Sequence, residues 1–275
     1  MVFARAFNRR RWAFGVAVVF FCVTAIALAQ RRFGAFGGRS TLDTLANIPY
    51  DGRFTFVRVR YEPTPDGYWY GGLPAWAHGY PVAERHLMKI MNEVSFLGAH
   101  DEEVNAFALD DPALFKYPIA YIIEVDWWAM TDREALALRT YMQKGGFVIV
   151  DDFKVRGFGR GGGVGGGGWD TFVAAMKRVL PEGRFVDMPE SHPIFHSFFE
   201  IGSLANFPQA YIAGQPIFRG LYEDNDPAKR LIMIVNYNTD ISQYWEWSGT
   251  GLRPIDDTNE AYKLGVNYLL YGLTH

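Results

Sequence analysis

The chain has 275 residues, one cysteine and a formal net charge of −3. That length buries enough surface to dispense with covalent staples, and a single cysteine excludes a disulfide framework or a thiolate metal cluster. The mildly acidic balance argues against holding nucleic acid or anionic lipid by bulk charge, so no nucleic-acid partner is expected.

Residues 1–29 read as an export leader. Arg5, Arg9, Arg10 and Arg11 precede an uncharged run from Trp12 to Ala29, and Ala27-Leu28-Ala29 offers a small-x-small cleavage site. The run is also long enough to cross a bilayer, so an uncleaved N-terminal anchor stays open as the second reading. Either one places the rest of the chain outside the cytoplasm, periplasmic or otherwise exported, because the arginines remain inside. Cys22 lies in this leader, so a cleaved chain carries no cysteine nucleophile. Residues 30–47 lack apolar periodicity and read as a flexible tether. Residues 48–275 then fit one domain.

Phe54, Phe56, Val57 and Val59 alternate with Arg53, Thr55, Arg58 and Arg60, which predicts a first strand ending near Tyr61-Glu62. An aromatic, turn-rich loop follows, and Pro81 opens a helix whose apolar face is Leu87, Ile90, Met91, Val94 and Leu97. Its first turns carry Glu84, Arg85 and His86; Arg85 near the helix N-terminus could assist anion binding, and a solvated helix face accounts for these residues equally well. Further strands are predicted over 104–109 and 117–125. Thr131 to Glu134 forms a capping box that starts the next helix, and Gly145-Gly146 ends it.

Phe147 to Val150 reads as a buried strand running into Asp151-Asp152, followed by a glycine-rich tract over 157–168. Helices over 169–180 and 259–273 and strands at 185–186, 217–222 and 231–237 complete the pattern. Strands alternating with helices imply βαβ units around a mostly parallel sheet.

Several segments together resemble the DUF4159 family. They are Phe54 to Tyr61, Gly145 to Phe153, His192-Pro193-Ile194-Phe195-His196, Arg230 to Asp240 and Gly265 to Tyr271. The resemblance covers about Ile48 to His275. It implies an exported or membrane-attached bacterial protein with no settled activity. It also implies a three-layer α/β/α, flavodoxin-like sandwich of the class I glutamine amidotransferase type. Catalytic branches of that fold present a cysteine on a sharp turn after a strand, whereas this chain has Asp151-Asp152-Phe153. The resemblance therefore implies the fold and not amidotransferase chemistry.

Ligands in open α/β sheets bind beyond the carboxyl ends of the strands, which directs attention to the polar residues there. Asp151 and Asp152 are candidates for cation binding or general acid–base work. Adjacent strand residues point to opposite faces, so one of the two is expected in the crevice, and a loop-capping role stays open for the other. His192 and His196 have the spacing of two ligands on one helical face, but a loop-holding hydrogen bond is the favoured reading of His192. Asn236, Asn238 and Asp240 recur at period two after a strand and suit either a hard cation or a turn. Trp69 and Trp76 are expected on the rim, with His78 beside them, and Glu62 and Asp126 at strand ends.

The expected ligand-binding set is Glu62, Trp69, Trp76, His78, Asp126, Asp151, Asp152, Asn236, Asn238 and Asp240, with Asp151, Asp152 and His192 as catalytic candidates. The glycine tract lacks Gly-Lys-Ser/Thr, so no nucleotide cofactor is expected, while a divalent cation stays open. The expected role is a non-catalytic domain binding a small molecule or a cell-envelope component. A metal- or carboxylate-dependent hydrolase of envelope glycan and a structural subunit of a membrane complex are the alternatives.

Overall fold

The computed structural model describes residues 46–69, 72–153, 168–204, 207 and 215–275. The expected leader, most of the expected tether and nearly all of the glycine tract lie outside the described residues. Two compact units are distinguished. The larger comprises Thr44–Tyr68 and Pro74–His275. The smaller includes Trp69–Leu73, where the Trp69 and Leu73 main chains close a tight turn at 2.7 Å.

Seven strands form one sheet: β1 (Val57–Arg60), β2 (Asn105–Ala108), β3 (Ile119–Ile123), β4 (Phe147–Phe153), β5 (Phe185–Asp187), β6 (Ile217–Tyr222) and β7 (Leu231–Tyr237). Their order across the sheet is β2-β1-β3-β4-β7-β6-β5. The first five neighbours run parallel. β6 lies antiparallel to both β7 and β5, so the sheet is mixed and mostly parallel. The order reverses between β1 and β3, which makes that point a topological switch.

Among the described residues, five α-helices flank the sheet: α1 (Val82–Val94), α2 (Asp132–Gln143), α3 (Gly168–Val179), α4 (Ile241–Glu246) and α5 (Ile255–Thr274). α1, α4 and α5 pack on one another, and α2 packs on α3. Strand alternation assigns the faces. Ile119, Tyr121, Ile123, Phe147, Ile149 and Ile234 share one core with Leu87, Met91, Tyr244, Trp245, Leu264 and Tyr268 of the α1/α4/α5 layer. The intervening Ala120, Ile122, Val148 and Val150 are equally buried and point to the opposite face. A sheet covered on both sides has near-continuous apolar strands, which is the pattern of β3 and β4. No helix among the described residues is long and apolar enough to cross a membrane.

Local signals explain the helix starts. The Glu134 amide donates to Thr131 Oγ1 at 3.2 Å and the Thr131 amide donates to Glu134 Oε2 at 2.7 Å, closing the expected capping box. Pro81 stands one residue before α1 rather than inside it. α4 has six residues, too few to show a helical period in the sequence.

The first strand departs from its expected pattern. Arg58 is not on a solvent face. It is completely buried and points toward α1, where Glu84 is also completely buried rather than solvated. In a sheet covered on both faces each position of an inner strand is interior, and a charge there must find an internal partner.

Candidate functional site

The carboxyl edge of the parallel strands is where loops from β1, β3, β4 and β7 meet. The chain after β1 reaches a 3-10 turn at Ala75–Ala77, and His78 follows it. Arg58 holds this turn from below: its Nη1 donates to the Trp76 carbonyl at 2.9 Å and to the His78 carbonyl at 3.3 Å. The same guanidinium donates from Nε to Glu84 Oε1 at 2.6 Å, pairs with that oxygen through Nη2, and lies 5.0 Å from the Tyr121 ring centre. The position of His78 thus depends on a charge that water never reaches.

Next to it, Gly79 has φ +68, and a Cβ there would come within 3.1 Å of Glu246 Oε2. Glycine suits the left-handed backbone here, and a Cβ would crowd the Glu246 carboxyl by a few tenths of an ångström.

β3 ends at Ile123, and Glu124 takes a left-handed conformation, φ 51. Tyr61 pins this corner, its hydroxyl donating to the carbonyls of Ile123 at 3.0 Å and Glu124 at 2.6 Å. The Glu124 amide in turn donates to the Asp152 carbonyl at 3.0 Å. Asp152 is itself left-handed, φ 53, and the pairing of β4 with β7 shifts register between Val150 and Phe153. This bulge breaks the simple two-residue alternation. Both aspartates are fully buried.

Their roles differ. Asp151 faces the α1/α4/α5 layer, as Ile149 does. Its carboxylate accepts from the Tyr121 hydroxyl (2.7 Å), Asn236 Nδ2 (3.2 Å) and the amides of Ile241 (2.9 Å) and Ser242 (3.2 Å). Those amides open α4, so Asp151 has the capping role that the sequence left open. Asn236 is held on its other side by the Tyr268 hydroxyl at 2.7 Å and is an internal strut, not a crevice residue. Asp152 instead meets His78, whose Nδ1 lies 3.1 Å from Asp152 Oδ2.

His78, Glu124 and Asp152 each bring one potential ligand atom to within 4.8 Å of the other two. His78 is about a quarter exposed, and its Nε2 lies 4.0 Å from Glu246 Oε2 on α4. Asp240 caps α4, its Oδ1 accepting from the Ser242 hydroxyl and the Gln243 amide, both at 2.9 Å. Its Oδ2 is buried and accepts no hydrogen bond among the described residues.

The electrostatics follow from this crowding. Burial raises Asp151 to about 7, with the Asp152 charge adding to it and the Tyr121 hydrogen bond opposing. Burial, then Asp152, pushes Asp240 well above the usual carboxylate range, and His78 pulls the other way. Glu246 is raised by burial. Burial disfavours charged His78, but its bond to Asp152 and the charges of Asp152, Asp240 and Glu246 outweigh this and raise it to about 9. The site gathers several buried carboxyl groups around one imidazole, and burial favours the neutral forms of Asp151, Asp240 and Glu246 because Arg58 is committed to Glu84.

The remaining expected residues are placed elsewhere or otherwise. Trp76 is buried, 6% exposed, so it is no rim platform: its ring packs 6.0 Å from Tyr80 beneath the loop. An aromatic next to small residues is legible from sequence, but which way the loop folds is not. Trp69 is 40% exposed and belongs to the smaller unit. Glu62 is exposed and accepts from the Tyr68 hydroxyl at 2.7 Å. Asp126 is buried in the turn after Glu124, and its charge bears on Tyr61 and Tyr237.

Asn238 is left-handed, φ 62, and its Nδ2 donates to the Gln215 carbonyl at 3.1 Å, so the period-two alignment of 236, 238 and 240 does not persist. His192 and His196 are not on one helical face. They bracket a 3-10 turn, where the Ile194 amide donates to His192 Nδ1 at 3.2 Å. His192 packs on Tyr271, whose ring meets Phe147 at the start of β4, at the sheet edge opposite Asp152.

Glu124, Glu246, Arg58 and Glu84 were missing from the expected set. Glu124 stands directly after an apolar strand, so the strand-end rule that selected Asp126 could have selected it too. Glu246 reaches His78 only through the placement of α4, and no local pattern announces it.

A family model described as "Domain of unknown function (DUF4159)" matches residues 55–273. No curated protein matches the chain.

Proposed function

We propose, from the premise that this chain belongs to the DUF4159 family, that it is an exported domain binding a positively charged ligand at the carboxyl edge of its sheet. Three potential ligand atoms, of His78 and Glu124 from two separate loops and of Asp152 from the bulged end of β4, lie within 4.8 Å of one another, and this observation carries the reading. Buried carboxylates need a counter-charge, and a bound cation would favour the ionised forms of Asp240 and Glu246, which burial disfavours. The switch point between β1 and β3 is where open α/β sheets place ligands. Export is supported by the basic, then apolar, leader with its Ala27-Leu28-Ala29 site. Binding without covalent catalysis is supported by the confinement of the single cysteine, Cys22, to that leader. A likeness to the amidotransferase fold rests on the motif resemblance and on the strand order.

Thermal unfolding of the full-length chain tests this. Spermidine, lysine amide, amine-bearing peptidoglycan fragments and divalent chlorides are compared with neutral and anionic analogues. A cationic ligand at 100 times its dissociation constant adds about 2.7 kcal/mol, or several degrees in a domain of this size. Asp152→Asn is expected to abolish the shift. No shift with any cation, or an equal shift in Asp152→Asn, would sink the reading.

A second reading, a carboxylate- or metal-dependent hydrolase of envelope glycan, draws support from Glu246. A half-buried carboxyl with a raised pKa, 4.0 Å from His78, suits a general base. Release of reducing ends from peptidoglycan, lost in Glu246→Gln, distinguishes it from binding alone.

A further inference from the structure

We infer that His78, Glu124 and Asp152 form a binding site for a single divalent transition-metal ion, with the buried carboxylate of Asp240 beside it. This rests on the reading of the same edge as a cation site and specifies the cation. The donor set is one imidazole and two carboxylates. Carboxylates alone would suit magnesium or calcium, whereas an added imidazole nitrogen shifts preference toward zinc or manganese.

The geometry permits it. Donors bonded to one ion at about 2.0–2.2 Å stand roughly 3–4 Å apart, so atoms already within 4.8 Å of one another need only small side-chain rotations. All three are held from behind. Arg58 fixes the His78 carbonyl, Tyr61 fixes the Glu124 carbonyl, and the Glu124 amide fixes the Asp152 carbonyl. Ligands presented by such braced main chain cost little reorganisation on binding.

Asp240 is the independent observation. It is completely buried, one of its oxygens caps α4, and the other accepts no hydrogen bond among the described residues. The charges bearing on it are those of Asp152, His78 and Asp151. A buried carboxylate oxygen without a donor is costly, and an ion held by His78 and Asp152 would supply the missing positive neighbour. The partial exposure of His78 leaves a way in from solvent.

The test is equilibrium dialysis of the metal-free, full-length chain against zinc, manganese, magnesium and calcium chlorides, with bound metal counted by mass spectrometry. One equivalent of zinc or manganese is expected. Second-sphere changes weaken metal sites about 10–100-fold, so Asp240→Asn should fall in that range. Loss of a direct donor, in His78→Gln, Glu124→Gln or Asp152→Asn, should cost at least about 100-fold by the same comparison. Asparagine tolerates the left-handed backbone at 152, and circular dichroism establishes that each variant is folded. If Asp152→Asn fails to fold, His78→Gln, at a partly exposed position, decides. Failure to bind any of the four metals stoichiometrically, or unchanged affinity in the folded donor variants, overturns the metal site. Thermal stabilisation by organic ammonium ions without metal uptake would overturn it too, while leaving the broader cation reading intact.

Discussion

Arg58 Nε donates to Glu84 Oε1 at 2.6 Å, and neither side chain has any exposure to solvent. One partner comes from β1 and the other from the first turn of α1, so the pair ties the sheet to the layer that carries α4. Breaking a buried pair on one side leaves an uncompensated charge, at about 3–5 kcal/mol. Glu84→Ala should therefore destabilise the domain by that amount in urea denaturation. The double variant Arg58→Met, Glu84→Leu should recover most of the loss, because replacing both charges removes the desolvation cost. It should not recover cation binding, since the Trp76 and His78 carbonyls lose their donor. Equal destabilisation in the single and double variants would contradict this account.

Asp151 and Asp152 are neighbours with opposite expected phenotypes. Asp151 satisfies four donors, among them the two amides that open α4. Asp151→Ala strands buried donors at about 1–3 kcal/mol each, so a loss of at least about 3 kcal/mol is expected by chemical denaturation. Asp152→Asn should cost little stability and most of the cation response. A variant pair in which Asp151→Ala stays stable while losing only binding would reverse the assignment.

Gly79→Ala combines a left-handed backbone with a Cβ 3.1 Å from Glu246 Oε2. The conformational cost is about 1–2 kcal/mol, read as a lowered melting temperature. Adding Glu246→Ala relieves the contact but not the backbone, so only part of the loss should return.

His192 gives a pH dependence at the far edge of the sheet. Burial, assisted by His275, holds its imidazole below the ordinary value of 6.5. The ring packs between Tyr222 and Tyr271 and accepts from the Ile194 amide. The unfolded chain therefore takes up a proton more readily than the native one. His192 contributes fully above an unfolded value of about 6.5 and loses that contribution as pH falls through the lower folded value. His192→Asn keeps a side-chain cap and should flatten this part of the stability profile between about pH 7.5 and 5. An unchanged slope would mean that the ring titrates as freely when folded as when unfolded.

Much of the scaffold was legible in the chain itself. The apolar runs of β3 and β4, the Thr131–Glu134 box and the amphipathic α1 are local patterns, and each element formed within a few residues of its expected bounds. The strand-end rule also directed attention to Asp152 and His78. It could not separate Asp151, which points into a helix start, from Asp152, whose bulge turns it to His78.

What the sequence determined by itself was a doubly covered, mostly parallel α/β sheet with an acidic carboxyl edge, because periodicity, caps and strand ends are encoded over a few neighbouring residues. Only the tertiary structure decided which carboxylates brace the fold and which gather at His78. That choice depends on left-handed corners at Glu124 and Asp152, a six-residue helix bringing in Glu246, and an arginine buried beneath the loop. Each of these is stabilised by contacts between segments far apart in the chain, and no local pattern of residues specifies such contacts.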